Sequence, residues 1–175
     1  MRSMMIMILT GIAIVILSGC CVKFSNLTAG NTYSVGDTIT TSEADISVEQ
    51  FQWPNGTWTT TGRAKVDDRN YAQGSGNDLN ANNVNLSFQF DYPVDKISLK
   101  FGELGGNNNI KVNGTFQNVA NLVDLNGNSI GGVQITVNAN QQGNNWYGTM
   151  DLDGTINDFA IGGQELWLDD VCPDK

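Results

Sequence analysis

The carboxylates, together with the absence of histidine, limit the chemistry open to this chain. Retaining and inverting glycoside hydrolases need two carboxylates at a defined separation, and Glu103 and Glu165 are the only glutamates set in apolar, glycine-flanked strand sequences. The chain contains no histidine, which excludes a histidine-based nucleophilic triad and a histidine-ligated metal. It also has no serine elbow and no phosphate-binding loop. We expect no catalysis, and a glycosidase or lyase is the enzymatic alternative.

Four aromatic residues near predicted loops are candidates for ligand binding. They are Trp53, Trp58, Trp146 and Tyr147, and the first two flank Pro54-Asn55-Gly56. Aromatic faces commonly stack on sugar rings, so these residues favour a glycan as the ligand. An aromatic pair that packs across a hairpin has the same spacing, and packing is therefore the alternative for each ring. Two exposed tryptophans on one face would favour binding.

The N-terminal segment predicts an export signal. Arg2 precedes a mostly apolar stretch from Met4 to Leu17, which ends in Leu17-Ser18-Gly19-Cys20. About 14 apolar residues are too few for a membrane-spanning helix and suit a removable signal peptide. The small residues before Cys20 resemble the lipobox of bacterial lipoproteins, in which the cysteine carries a diacylglyceryl group. We expect residues 1–19 to be removed and Cys20 to be lipidated; an uncleaved anchor or a plain secretory signal is the alternative.

The lipoprotein resemblance also implies a location. The freed amine of such proteins is usually acylated as well, and two or more acyl chains hold a protein stably in a membrane. Residue 21 is Cys rather than Asp, and Asp at that position tends to retain Gram-negative lipoproteins at the inner membrane. We expect a bacterial envelope protein, at the outer rather than the inner membrane.

The charge balance restricts the class of partner. The chain has 9 Lys and Arg against 18 Asp and Glu, and a formal net charge of -9. Nucleic acid is excluded as a partner, because its binding requires a basic surface. Divalent cations suit an acidic surface better. After the leader, residues 20–175 are enough for one ordinary domain with a single core.

Two cysteines remain once Cys20 is assigned to lipid. They are Cys21 and Cys172, near the two ends of the mature chain. Exported proteins meet an oxidising environment, which favours a disulfide between them. The alternative is two free thiols, since the bridge forms only if the terminal segments are neighbours.

Apolar and polar residues alternate along most of the chain, which predicts strands rather than helices. The clearest run is Val84 to Tyr92, with apolar side chains at every second position. Shorter runs share the pattern: Ile46 with Val48, Ile97 to Phe101, Val133 to Val137, Met150 with Leu152, and Leu166 with Leu168. Asn-Gly and Gly-Gly pairs between the runs mark chain reversals. This pattern predicts an all-β protein, a single antiparallel sandwich or a barrel.

Asparagine is over-used, with 22 residues. The amides are open to two interpretations, as ligand contacts or as turn residues that accept left-handed backbone geometry, and the turn interpretation is the stronger. Residues 74–83, which are rich in Gly and Asn, are predicted to form a long loop that enters the strand at Val84.

Segments near both ends resemble galactose-binding-like jelly rolls, the fold of many carbohydrate-binding modules. The run Leu166-Trp167-Leu168-Asp169-Asp170-Val171 is similar to their closing strand, and Val22-Lys23-Phe24-Ser25-Asn26-Leu27 to their first strand. With the Phe101 to Asn107 segment and Val112-Asn113-Gly114, the chain resembles a group of exported bacterial proteins of no established activity.

The jelly-roll resemblance implies a structural calcium ion between the first and last strands. Its ligands would be carboxylates and backbone carbonyls, the donors that a hard cation prefers. Asp169 or Asp170 is the corresponding carboxylate here, whereas Ser25 replaces the glutamate of the first strand. The alternative is that both aspartates simply end a strand.

These observations favour a non-catalytic, lipid-anchored binding module, with a glycan as the expected ligand. The alternative is a structural lipoprotein that contacts envelope proteins and binds no small molecule. The strand-like sequence starts at Val22, two residues after Cys20, and a domain with so short a tether would lie against the membrane.

Overall fold

The computed structural model describes residues 21–59 and 61–175, and strands dominate this part of the chain. The leader and Cys20 lie outside the described residues. The strands are β1 (Thr32–Ser34), β2 (Thr38–Thr40), β3 (Asp45–Gln52), β4 (Trp58–Thr59), β5 (Arg63–Asp67), β6 (Asp78–Asn82), β7 (Val84–Gln89), β8 (Val94–Glu103), β9 (Asn108–Val112), β10 (Thr115–Val119), β11 (Ser129–Ile130), β12 (Val133–Gln142), β13 (Asn145–Ile156), β14 (Phe159–Gly163) and β15 (Leu166–Asp174). A 3-10 helix (Leu122–Leu125) lies between β10 and β11. No helix among the described residues has the length and apolar character needed to cross a membrane.

Two antiparallel sheets pack face to face. The larger sheet has the order β1-β5-β6-β15-β8-β13-β12-β11, and the smaller has the order β10-β9-β14-β7-β3-β2, with β4 paired to β3. The chain crosses between the sheets at successive strands, since β6 and β8 belong to the larger sheet and β7 and β9 to the smaller one. The prediction of a single-domain antiparallel β-sandwich is confirmed.

The core forms where the alternating apolar side chains of the two sheets meet. In β7, Val84, Leu86 and Phe88 are buried, and Phe101 of β8 and Leu168 of β15 pack into the same cluster from the larger sheet. Each large side chain removed from water in this way stabilises the fold by roughly 1.5–3 kcal/mol. The polar residues between them are left on the outer faces, where the candidate sites lie.

The first described residues are fixed to the last strand. The Val22 N–H donates to the Val171 carbonyl at 2.7 Å, and the Val171 N–H returns a bond to the Val22 carbonyl at 3.1 Å. A disulfide joins Cys21 to Cys172, with a Cα–Cα distance of 4.0 Å. The described residues are therefore held to the last strand from Cys21 onward.

The prediction of a continuous loop over residues 74–83 is wrong, because its second half is β6. Leu79 and Ala81 of this strand are fully buried, and they pair with Leu168 and Leu166 of β15. Asn83, with φ of 56°, makes the turn that passes the chain to the smaller sheet. Pairing with β15 brings the polar residues of this segment into a ladder that local composition does not reveal.

Candidate functional site

A groove crosses the outer face of the smaller sheet. Its lining side chains point away from the core, and they are Glu49, Asn85, Asn109, Lys111, Phe116 and Ala160. Ala160 and its neighbour Gly162 lie on the central strand β14. A side chain at Gly162 would overlap the Val84 carbonyl. Because Ala160 and Gly162 are small and the flanking strands carry longer side chains, the groove is deepest over β14.

Trp58 forms a wall at one end of the groove. It is 52 % exposed, and it is the one large hydrophobic side chain of the described residues that solvent reaches to this extent. Its ring lies 5.8 Å from that of Phe116, tilted by 44°. One part of the ring packs on Phe116, and the exposed part is accessible to a ligand.

The hairpin that carries Trp58 is held against the sheet by hydrogen bonds. The Trp53 N–H donates to the Thr57 carbonyl at 2.8 Å across the Asn55-Gly56 turn, and the Trp53 ring packs edge-on against buried Phe51 at 5.2 Å. The amides of Asn109 and Asn118 both donate to the Gln52 carbonyl at 3.1 Å. Trp53 therefore anchors the hairpin and Trp58 projects from it.

A cavity of about 540 Å³ adjoins the groove and shares Glu49 and Lys111 with it. The aromatic residues of its wall are Phe88, Phe90, Tyr92 and Phe159, and Ser87 and Gln89 contribute polar groups. Phe90 stacks on Phe88 at 6.2 Å. The groove and the cavity therefore combine aromatic surface with polar groups, the arrangement expected of a small-molecule site.

The charged groups of the groove leave a net negative charge. Lys111 pairs with Asp158 at 3.6 Å between the Lys Nζ and Asp Oδ1 atoms, whereas none of the described residues forms an ion pair with exposed Glu49. Asn85 donates through its amide to the Gln50 carbonyl at 2.7 Å, and its Oδ1 atom has no hydrogen-bond partner among the described residues. The exposed Glu49 carboxylate offers acceptors for ligand hydroxyls, and the net negative charge disfavours polyanions.

A second site lies on the outer face of the larger sheet, where three neighbouring strands each carry an aspartate on the same face. Asp67 of β5 pairs with Asp78 of β6, and Asp78 and Asp169 each come one residue beyond the Leu79 to Leu168 pair. The loop of residues 68–77 folds over them. A side chain at Gly74 would overlap the Asp169 carboxylate. The aspartates therefore lie between the sheet and its covering loop.

Each aspartate accepts a hydrogen bond from its surroundings. The Ala72 N–H donates to Asp78 Oδ2 at 2.8 Å, the Ser75 N–H to Asp169 Oδ2 at 2.6 Å, and the Trp167 Nε1–H to Asp67 Oδ2 at 3.2 Å. Oδ1 of Asp78 and Oδ1 of Asp169 have no partner among the described residues. Both side chains are fully buried. A free, buried acceptor is costly unless a cation or a proton satisfies it.

Burial and nearby negative charges make the carboxyls of Asp78 and Asp169 hard to ionise. Desolvation is the main cause that raises the pKa of Asp78 to about 6, and the charge of Asp169 adds to it. Desolvation likewise raises the pKa of Asp169, with the Asp170 charge as a further cause. Two free carboxylate oxygens in a dry site suit a hard cation. The described residues bring no three metal-binding side chains together, so backbone carbonyls or water would complete the coordination.

Asp170 and Ser25 lie beside this site and make different contacts. Asp170 adopts a positive φ of 46° at an irregularity between Asp169 and Cys172. Its carboxylate faces Lys100 at 2.9 Å and Lys23 at 3.6 Å, which leaves Asp169 as the carboxylate with a free oxygen. Ser25 lies against Gly76 of the covering loop.

The structure does not gather all the sequence-predicted residues at one site. Trp53 and Trp58 belong to the groove side, whereas Trp146 and Tyr147 are half-buried on β13 of the larger sheet. Glu103 is 1 % exposed, so it does not reach either outer surface, and Glu165 is exposed. The two glutamates therefore do not form an accessible pair.

Sequence reasoning missed several residues of both sites. Phe116 falls opposite Lys111 because the Asn113-Gly114 turn sets the register of β9 and β10, and that turn was the available signal. Asp78 was assigned to a loop, although it immediately precedes the alternating Leu79 and Ala81. Glu49 carried no signal of its own, because its partners come from strands distant in sequence.

No protein-family model matches the chain, and neither do the curated proteins or the solved structures.

Proposed function

We propose that this chain is a non-catalytic binding module of the bacterial envelope, and that the groove on its smaller sheet binds a glycan. The exposed Trp58 ring over Phe116 carries the proposal. A sugar ring presents an apolar face and a rim of hydroxyls. The groove presents an aromatic wall and, beside it, the carboxylate of Glu49 and the ammonium group of Lys111.

The energetics favour a ligand with an apolar face at Trp58. Covering a half-exposed indole removes apolar surface from water at about 25 cal/mol per Å². Hydrogen bonds to the groove then select orientation rather than supply most of the affinity, because each exchanges a bond to water. The negative balance at Glu49 and Asp158 favours neutral or amino sugars over acidic polysaccharides.

The direct test is binding of the detergent-solubilised full-length chain to a glycan array, with Trp58→Ala as the diagnostic variant. Tyr147→Ala is the matched control, since it removes an aromatic ring from the other sheet. We expect Trp58→Ala to weaken binding at least tenfold and Tyr147→Ala to leave it unchanged. Absence of binding by the wild-type chain, or equal loss in both variants, would contradict the proposal.

The proposal includes a structural calcium ion beneath the loop of residues 68–77. The free Oδ1 atoms of buried Asp78 and Asp169 support it, because a divalent cation would offset the repulsion between these neighbouring carboxylates. The cation would fix the covering loop to β15 without taking part in ligand binding.

Thermal unfolding in calcium and in EDTA tests the metal site. We expect calcium to raise the melting temperature of the wild-type chain, by an amount equivalent to about 2.7 kcal/mol at a hundredfold excess over the dissociation constant. Asp78→Asn should abolish this shift, and Asp153→Asn, a matched change at an exposed aspartate of β13, should retain it. An identical melting temperature in calcium and EDTA for the wild type would refute the site.

We further propose that Cys20 carries the lipid and that the domain lies at the outer membrane. The fixed position of Cys21 and Val22 on the last strand supports a domain held close to the bilayer. Radiolabelled palmitate should enter the wild-type chain and fail to enter Cys20→Ser. Labelling that survives this substitution would place the lipid elsewhere.

A structural role without a small ligand is the second candidate function. The missing tether favours it, because a domain pinned beside its anchor cannot reach far from the membrane. In that case the array would show no glycan, and cross-linking in cells would join the chain to a neighbouring envelope protein.

A further inference from the structure

One edge of the larger sheet lacks the protection that edge strands normally carry. No Asp, Glu, Lys or Arg occurs between Asp124 and Asp151, in a chain whose net charge is -9. β12 and β13 lie within this uncharged stretch except for the end of β13. Natural edge strands usually carry charges, prolines or bulges that prevent pairing with another chain. The second half of β12 carries none of these.

Successive residues of β12 alternate in the direction of their backbone groups. One residue directs its N–H and carbonyl toward β13, and the next directs them away from it. The Ile135 N–H donates to the Asn128 carbonyl, and the Ile135 carbonyl accepts from the Gly127 N–H, both at 2.9 Å. The groups of Ile135 therefore point away from β13. Pairing of β12 with β13 continues without irregularity to Gln142, so Ala139 and Gln141 also direct their N–H and carbonyl groups to the open edge.

The first part of this edge is covered and the last part is open. Beyond Ile135, the Val137 N–H donates to the Asn126 side chain at 2.9 Å. The structure shows no hydrogen bond from any described residue to the outward backbone groups of Ala139 or Gln141. Four backbone groups thus form a short open row without a hydrogen-bond partner among the described residues.

The remaining edges of the two sheets are less open to another chain. β1 and β2 are three residues long, and β10 lies beside the Trp58 hairpin, where the Asn118 amide bonds to the Gln52 carbonyl. The open half of β12 is longer than β1 or β2 and has exposed amide side chains at Asn138, Asn140 and Gln142.

We propose that this edge pairs with the same edge of a second copy of the chain, antiparallel and centred on Asn140. In this register Ala139 of one copy faces Gln141 of the other, and the four open groups of each copy are satisfied by four intermolecular hydrogen bonds. Asn140 faces Asn140, and Asn138 faces Gln142, so exposed amides meet across the junction. The pairing extends the larger sheet through a twofold axis.

The charge distribution selects a second copy as the occupant. Two copies of an acidic chain repel one another over most of their surfaces, and this uncharged edge is where their backbones can approach at the lowest electrostatic cost. Because the register is self-complementary, the edge needs no other protein or segment as its partner. This inference is independent of the glycan and of the lipid.

Cysteine cross-linking of the full-length chain in whole cells tests the pairing. Asn140→Cys places two thiols on residues whose Cα atoms are about 4.5 Å apart in such a pair, within the span of a disulfide. Thr136→Cys is the matched control, because it is an exposed position on the same face of β12 whose copies would be about 27 Å apart. We expect a covalent dimer, reversed by reductant, for Asn140→Cys alone.

A second variant separates specific pairing from random collision. Adding Gln141→Pro to Asn140→Cys removes one outward N–H and blocks the ladder, while the edge position tolerates proline. We expect the dimer band to fall at least tenfold. A band that persists with Gln141→Pro, a band equal to that of Thr136→Cys, or no band at all would overturn the proposal.

Discussion

Glu103 is a buried carboxylate that supports the fold through a hydrogen bond. Its Oε2 atom accepts the Leu122 N–H at 2.9 Å, at the start of the 3-10 helix. Burial is the main cause that raises the pKa of Glu103, and the bonds from Leu122 and Asn108 offset it only in part. The residue therefore connects the end of β8 to the helix at an electrostatic cost when it is ionised.

Two substitutions at Glu103 should distinguish the contribution of its hydrogen bond to the free energy of unfolding from the contribution of its charge. Glu103→Ala leaves the Leu122 N–H unpaired in the interior, and we expect it to lower the free energy of unfolding by about 1–3 kcal/mol. Glu103→Gln keeps an acceptor and removes the charge, so it should be at least as stable as the wild type at pH 7.5. Urea unfolding of both variants is the measurement; equal destabilisation would show that the charge itself is required.

At the level of elements, the disulfide and the Val22 to Val171 bridge close the chain on itself. The two cysteines are 151 residues apart in sequence, so the bond restricts nearly all of the unfolded chain. Chain-entropy arguments give a stabilisation of about 5 kcal/mol for a loop of this size.

Removing the disulfide should therefore lower stability without changing the fold. We expect Cys172→Ser to lose up to about 5 kcal/mol of unfolding free energy, with the β-sheet circular dichroism spectrum unchanged in the absence of denaturant. Urea unfolding of the wild type with and without reductant provides the comparison. A loss well below 1 kcal/mol would mean that the bridge does not form in the mature protein.

The hairpin at Trp58 shows that an element can position a site through bonds outside its own strands. Asn109 and Asn118 hold the Gln52 carbonyl from β9 and β10. We expect Asn118→Ala to weaken glycan binding several-fold with little change in melting temperature, because it loosens the hairpin and removes no core contact. Asn138→Ala, an exposed asparagine on the other sheet, should leave binding unchanged in the same assay.

For the whole molecule, three buried carboxyl groups make the free energy of unfolding depend on pH. The pKa values of Asp78, Asp169 and Glu103 are all raised by burial, so the folded state binds these protons more tightly than the unfolded state. A raised carboxyl pKa gives stability that is greatest at low pH and is lost as pH rises through the folded value. For Asp78 the change falls between its ordinary value of 3.8 and about 6.

We therefore expect the melting temperature in EDTA to be higher at pH 5 than at pH 8. Relief of repulsion in a chain of net charge -9 acts in the same direction. Calcium should reduce the difference between the melting temperatures at pH 5 and pH 8, because it stabilises the ionised aspartates. A melting temperature in EDTA that rises from pH 5 to pH 8 would contradict the assigned burial of these groups.

The sequence by itself determined the class of fold, the turns and the charge. Alternation in Val84 to Phe88 and in Ile97 to Phe101 requires one buried face per strand, and this information is local. The two cysteines left after Cys20 defined one candidate bridge by number alone. The same alternation in Leu79 and Ala81 was hidden by the surrounding Gly and Asn residues, whose turn propensity is also local.

Only the tertiary structure decided which residues meet across strands. Asp67, Asp78 and Asp169 share a face because β5, β6 and β15 are neighbours. Glu49, Lys111 and Trp58 line one groove because β3, β9 and β4 converge on one surface. Side-chain periodicity specifies the face of a strand, whereas strand order and register depend on packing among segments far apart in the chain. The sites depend on those long-range pairings.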